Sequence, residues 1–383
     1  MSEPPILARE FHTTRNRVPV TTYRFQLTPT FTFDHAAEVV PYLARLGVTE
    51  VYFSPIFRAK PGSTHGYDVC DFGELNPELG GAEGFARLHA ILQSHGMGLV
   101  QDFVPNHMAV EPVLNPWWRS MLEHGPASPF AKFFDVDWDP IKPELRGKIL
   151  LPFLGDHYGS VLKRGELVAE FRDGGFVIRY FVQTRPIDPR QYPRILRIGL
   201  PTLQAELGED ASLSELLSIM TALDHIPAVT DGEPEKVAQR LRECRIANER
   251  IARLVDSTPR IRRHIDEALL TLNGTPGQPE SFDALHELLD ALPFRLAYWK
   301  TAVHEINYRR FFDINQLAGL RVEEPAAFQA MHQLLLQLIC DGAVTSSFPT
   351  KFNVRGPNPL DVGFLKKFPS RAFGSSAVGT RGT

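Results

Sequence analysis

Apolar positions switch between two periods along the first hundred residues. Val20–Leu27 (VTTYRFQL) is rich in β-branched and aromatic residues and predicts a strand. Ala36, Val39, Val40, Leu43 and Leu46 then fall at helical spacing, with Thr32 or Asp34 as cap and Gly47 as stop. Pro41 lies inside that pattern and predicts a kink. Val48–Ile56 (VTEVYFSPI) predicts a second strand ended by Pro55, and Ala59–Gly81 a Gly/Pro-rich loop. Phe85, Leu88, Ile91 and Leu92 mark a second helix, and Met97–Val104 (MGLVQDFV) a third strand. Such alternation with short connections demands a parallel sheet with right-handed crossovers. A barrel and an open doubly wound sheet both satisfy it. No Gly-x-Gly-x-x-Gly follows the first strand, so a dinucleotide site is unsupported.

The rhythm breaks after residue 108. Residues 109–190 mix aromatic and acidic loops with short strand-like runs such as Lys148–Pro152 and Phe176–Phe181. Residues 191–295 are expected to be helical, with Leu213, Leu216, Leu217 and Met220, then Val237, Leu241, Ile246 and Ile251, at amphipathic spacing. We therefore expect one inserted subdomain over 109–320. A helix carrying Phe328, Met331, Leu335 and Leu338 then runs from Pro325 to Asp341-Gly342, and 321–344 should hold this helix and the start of a fourth strand. Residues 345–383 show no sustained period and are expected to be a disordered tail.

Bulk properties narrow the function. The 383 residues carry a formal net charge of −4, which makes no electrostatic case for nucleic acid or an anionic membrane. No apolar run reaches membrane-spanning length, and the first twenty residues lack the apolar core of a signal peptide. Cys70, Cys244 and Cys340 are few and far apart, which fits free thiols in a reducing cytoplasm rather than a disulfide frame or a zinc site. Among the 26 Phe, 9 Tyr and 4 Trp, most serve core packing, while Trp117, Trp118 and Trp299 are open to a core role or a sugar-stacking role.

Two clusters carry chemistry. His65-Gly66-Tyr67-Asp68 follows the second strand, and Asp102-Phe103-Val104-Pro105-Asn106-His107 ends the third. Either alone reads as a hydrogen-bonded turn or a proline-bent strand end. Together they stand at consecutive carboxyl ends of parallel strands, where α/β proteins bind ligands.

These residues resemble the alpha-amylase superfamily, glycoside hydrolase family 13, in which DxVPNH closes the third strand of a (β/α)8 TIM barrel. TTYRFQLTPTFTF, GVTEVYFSPIFRAKPGSTHGYDV, HGMGLVQDFVPNHMAV, GPASPFAKFFDVDW and NYRRFFDINQLAGLRVEEP narrow the resemblance to the maltooligosyl trehalose synthases. The match runs in order from about Thr21 to Val344 and is loosest in the helical insertion. It implies the N-terminal part of such a barrel, with residues 1–108 as its first three βα units and a mixed and helical insertion after strand 3. It implies an intramolecular glucosylmutase that turns the reducing-end α-1,4 bond of a malto-oligosaccharide into an α,α-1,1 bond. It implies no redox or nucleotide cofactor, and it nominates no metal-ligating residue. A trehalohydrolase would be the pathway partner, without a stable complex.

By the same resemblance Tyr67 would stack on a sugar ring, with His65 and Asp68 in the supporting loop and His107 bonded to the same sugar. Asp102 would hold the arginine that precedes the nucleophile, and Asn106, a calcium position in many amylases, would fix the loop. Arg309, Arg310, Asp313 and Asn315 would line the site, although Arg309 and Arg310 also suit surface ion pairs. A retaining mechanism needs two carboxyl groups about 5–5.5 Å apart. The family's nucleophile motif should follow the helix ending in Asp341-Gly342, but Thr345-Ser346-Ser347-Phe348-Pro349-Thr350 stands there, and no Arg-x-Asp-His occurs in the sequence. The acid/base glutamate is expected to be missing too. We therefore expect no turnover by this chain, an inactive fragment of the family pattern. The alternatives are another glucan hydrolase of the superfamily or a non-catalytic glucan-binding remnant.

Overall fold

The computed structural model describes residues 19–230 and 233–349. In chain order it begins β1 (Thr22–Phe25), α1 (Phe33–Leu46), β2 (Glu50–Phe53), β3 (Phe57–Ala59), β4 (Val69–Leu75), α2 (Gly81–Ser94), β5 (Gly98–Phe103) and β6 (His107–Ala109). There follow α3 (Pro116–His124), β7 (Ile149–Leu154), α4 (Tyr158–Lys163), β8 (Leu167–Arg172), β9 (Gly175–Tyr180) and β10 (Gln183–Pro186). Then come α5 (Tyr192–Leu196), α6 (Leu200–Leu207), α7 (Ala211–Asp224), α8 (Pro234–Ser257), α9 (Pro259–Leu272), α10 (Asp283–Asp290), β11 (Phe294–Tyr298) and α11 (Ala302–Glu305). The described chain closes with β12 (Arg310–Phe311), β13 (Ile314–Gly319), α12 (Pro325–Cys340) and β14 (Ser346–Pro349).

The described residues pack as two compact units, one holding residues 19–110 and 310–349, the other those described within Glu111–Arg309. In the first, β1, β2, β5 and β14 form a four-stranded parallel sheet in that order. Register places Arg24 beside Tyr52 and Tyr52 beside Val100, so Arg24, Tyr52 and, two residues beyond Val100, Asp102 point to one face. Phe25, Val51, Phe53, Leu99 and Phe103 point to the other and are buried. α1 and α2 pack together, with Phe33 and Phe85 edge to face at 5.6 Å. His332 of α12 lies edge-on against Phe103 at 4.9 Å.

Several expectations need correction. α1 runs on through Pro41, and Asp34 is its second residue, pairing with Arg87 at 2.8 Å rather than capping. The 59–81 segment is not all loop, since β3 and β4 pair as an irregular antiparallel ribbon with register shifts. The expected insertion boundary of 320 lies too far along, because β12 and β13 join β6 in an antiparallel sheet within the first unit. The expected tail also begins too early. Ser346–Pro349 is a strand that pairs in parallel with β5, and Thr345 already donates its N–H to the Leu99 carbonyl. The rest of the expected tail, 350–383, lies outside the described residues.

The second unit holds a β8–β9–β10 meander, the parallel pair β7 and β11, and the helices α3–α11. Trp118 is fully buried against Phe134 and Tyr308 and is core. Trp117 stacks on Phe130 at 5.6 Å, and Trp299 is exposed. Cys70 and Cys244 are buried and Cys340 half-buried, and no disulfide joins them among the described residues. Among the described residues no helix is long and apolar enough to cross a membrane.

His332 makes stability pH-dependent. Its Nδ1–H donates to the Phe328 carbonyl at 2.7 Å, and burial lowers its pKa to about 4. That is below the unfolded value of about 6.5, so the folded chain resists protonation. This contribution is complete above about pH 6.5 and is lost as pH falls toward 4. A His332→Leu chain is expected to lose about 2–3 kcal/mol less stability than the parent between pH 7 and pH 4.5 in urea titrations. Equal losses would contradict this account.

Candidate functional site

The site grows from the shared face of the parallel sheet. Asp102 stands one residue from the end of β5, 2% exposed, where Pro105 stops the strand. Tyr67 reaches it from the loop between β3 and β4, and its hydroxyl donates to Asp102 Oδ2 at 2.5 Å. The Tyr52 hydroxyl, from β2, bonds the same carboxylate. Burial first and the Asp102 bond second raise the pKa of Tyr67, and burial followed by the Asp102 charge raises that of Tyr52. Both phenols therefore stay protonated donors. Arg24, from β1, brings Nη2 to 3.4 Å from the Tyr67 oxygen.

The loop that carries Tyr67 is fixed at several points. Gly66 turns it with φ +75°, and a Cβ there would lie 2.7 Å from the Pro55 carbonyl, so only glycine fits. Ser63 Oγ donates to Asp68 Oδ1 at 2.5 Å and accepts the Gly66 N–H at 3.1 Å. The Tyr67 N–H donates to His65 Nδ1 at 3.0 Å, and the two rings stack at 6.0 Å. His107 closes the arrangement from the start of β6, donating Nε2–H to the Tyr67 carbonyl at 2.8 Å. Its Nδ1 lies 2.6 Å from the Asn106 side-chain amide, and its ring stacks on Phe311 at 3.8 Å. Burial lowers its pKa to about 4, so the ring is neutral near pH 7.

The two strand-end clusters thus meet in one hydrogen-bonded unit. His65, Tyr67, Asp68, Asp102, Asn106 and His107 come together as expected from their strand positions. His107 differs from expectation in detail: it is 1% exposed and both nitrogens face protein groups, so in this arrangement it grips the Tyr67 loop rather than offering a bond to a sugar. Arg310 bonds Asn315 Oδ1 at 2.5 Å and Asp313 at 3.4 Å, holding the turn between β12 and β13. Arg309 is the last residue of the second unit and pairs with Asp135 at 2.8 Å, an ion pair rather than a member of this cluster. Sequence reasoning missed Arg24, Tyr52, Ser63 and Phe311. The period-2 alternation of β1 and β2 did carry a signal for Arg24 and Tyr52, because it sets them opposite Phe25 and Phe53. Among the described residues no group of three or more His, Cys, Asp or Glu side chains could hold a metal ion.

Residues 33–157 match the alpha amylase catalytic domain. A protein named as a maltooligosyl trehalose synthase in Mycobacterium tuberculosis is 42% identical over 169 residues, 40% of this chain and 22% of that protein. Maltase A1 of Drosophila melanogaster is 37% identical over 89 residues, 23% of this chain and 15% of its own. The solved maltooligosyltrehalose synthase of Arthrobacter ramosus superposes with a TM-score of 0.56 at 28% identity, covering 86% of this chain and 31% of its own. The chain therefore spans about a fifth of the curated synthase and a third of the solved one. Its fold is of the α/β TIM-barrel type.

Proposed function

We propose, for a chain that carries alpha-amylase catalytic-domain sequence and resembles the maltooligosyl trehalose synthases, that its first unit holds a glucan-binding part of such a site. On this reading β1, β2, β5 and β14 are the first four strands of a (β/α)8 barrel, and residues 111–309 are an insertion after the third. The ligand is an α-1,4-linked malto-oligosaccharide. Tyr67 offers its ring to a pyranose face, because sugar C–H groups pack on aromatic rings. Asp102 and His107 act by fixing that ring, one through the phenol and one through the backbone carbonyl. Arg24 supplies a polar group beside it.

In the parent reaction a carboxylate attacks the anomeric carbon and releases glucose, which stays enclosed and re-attacks through its own anomeric hydroxyl. Excluding water decides between isomerisation and hydrolysis. The described carboxylates at the site do not offer the required pair. Asp102 is buried and bonded to two phenols, and Asp68 is bonded to Ser63. With no Arg-x-Asp-His in the sequence, we propose binding without turnover.

The observation that carries this reading is the Tyr67–Asp102 bond with His107 on the same residue's carbonyl. The test is incubation of the purified chain with maltopentaose, with product analysis and equilibrium dialysis in parallel. We expect bound sugar and no trehalose-ended product. Absent binding would sink the glucan reading, and clear turnover would sink the claim of inactivity.

A further inference from the structure

We propose that Phe312 is a sugar-contacting ring displayed by a strained turn; this rests on the glucan reading above. Phe312 and Asp313 are the two residues between the paired positions Phe311 and Ile314. A positive φ at the first central residue of a two-residue hairpin is a glycine position. Phe312 occupies it with φ 53°. A bulky residue there is a genuine outlier. Its ring recovers little by burial, since it is 73% exposed. Backbone strain and solvent exposure both disfavour phenylalanine at this position, so fold stability does not account for it.

The surroundings of the ring do account for it. Phe312 meets Phe311 edge to face at 4.5 Å, Phe311 stacks on His107 at 3.8 Å, and His107 holds the Tyr67 carbonyl. A continuous run of rings therefore leads from the Tyr67 loop to one open aromatic face. Arg310, through Asn315 and Asp313, holds the turn in place. An uncharged, hydroxyl-rich chain suits this surface: its C–H faces meet Phe312 while its hydroxyls reach the flanking polar groups. Strain retained at an exposed, site-linked side chain is the pattern expected where the side chain serves binding.

The second unit provides a control. Phe181 stands at the first position of a two-residue turn between Tyr180 and Gln183, with φ 51° and 62% exposure, and packs on Tyr180. The experiment compares the full chain with Phe312→Gly, Phe312→Tyr and Phe181→Gly by thermal melting and by calorimetric titration with maltoheptaose. Both glycine variants are expected to melt about 2 °C higher. Phe312→Gly alone should bind roughly tenfold more weakly, and Phe312→Tyr should bind like the parent. Unchanged affinity in Phe312→Gly overturns the inference, as does equal weakening in Phe181→Gly. A lower melting temperature for Phe312→Gly overturns the strain argument that carries it. A parent chain that fails to bind maltoheptaose removes the glucan reading itself, and this inference with it.

Discussion

An Arg240→Ala chain is expected to lose about 3–5 kcal/mol of stability, seated in the second unit. Arg240 is fully buried on α8. Its Nη2 donates to Asp188 Oδ1 at 2.5 Å and its Nη1 to the Pro227 carbonyl at 2.7 Å. Asp188 is 2% exposed and also accepts the Arg190 N–H at 3.0 Å, which starts the turn into α5. Burial pushes the Asp188 pKa up, while the Arg240 charge opposes that push. Without the guanidinium a buried carboxylate remains with one backbone donor, and the Pro227 carbonyl loses its partner. The pair is costly to break but of small net worth, because desolvation of two charges offsets most of their attraction. An Arg240→Met, Asp188→Asn double variant should therefore recover most of the loss. Urea unfolding of the three chains measures this, and a single-variant loss under about 1 kcal/mol would contradict the buried pair.

The second large effect concerns binding. Tyr67→Ala is expected to weaken maltoheptaose affinity ten- to a hundredfold, about 1.4–2.8 kcal/mol. The substitution removes the ring and leaves Asp102 with only Tyr52 among the two phenols. Tyr67→Phe keeps the ring but not the 2.5 Å bond to Asp102, so its loss should fall between parent and alanine. Backbone circular dichroism on each chain separates lost binding from lost folding. An alanine variant that folds and binds like the parent would show that the ring carries no sugar.

Much of this site was legible because its residues lie at strand ends that local pattern predicts. β1, β2 and β5 each fall inside the expected runs, so the HGYD and DxVPNH clusters could be placed at neighbouring strand tips before any coordinates. What escaped depended on partners distant in sequence. Arg240 and Asp188 are 52 residues apart, and although Arg240 continues the buried Cys244, Ala247, Ile251, Leu254 spacing of α8, that spacing does not name its distant carboxylate partner. β3 and β4 hide in a Gly/Pro-rich run because their pairing tolerates register shifts that disrupt alternation. A fourth strand was expected to start by residue 344, but its run over Ser346–Pro349 was missed because Ser346, Ser347 and Pro349 carry little strand propensity, and the pairing with β5 decides instead. Arg309 and Arg310 are adjacent in sequence, yet one pairs with Asp135 in the second unit and the other with Asn315 in the first. No spacing rule separates two consecutive arginines.

The most direct test is a crystal structure of the full chain soaked with maltoheptaose. A pyranose face lying on the Tyr67 ring, with the Tyr67–Asp102 bond intact, is the result expected. Well-ordered sugar bound elsewhere, with Tyr67 untouched, would contradict the account.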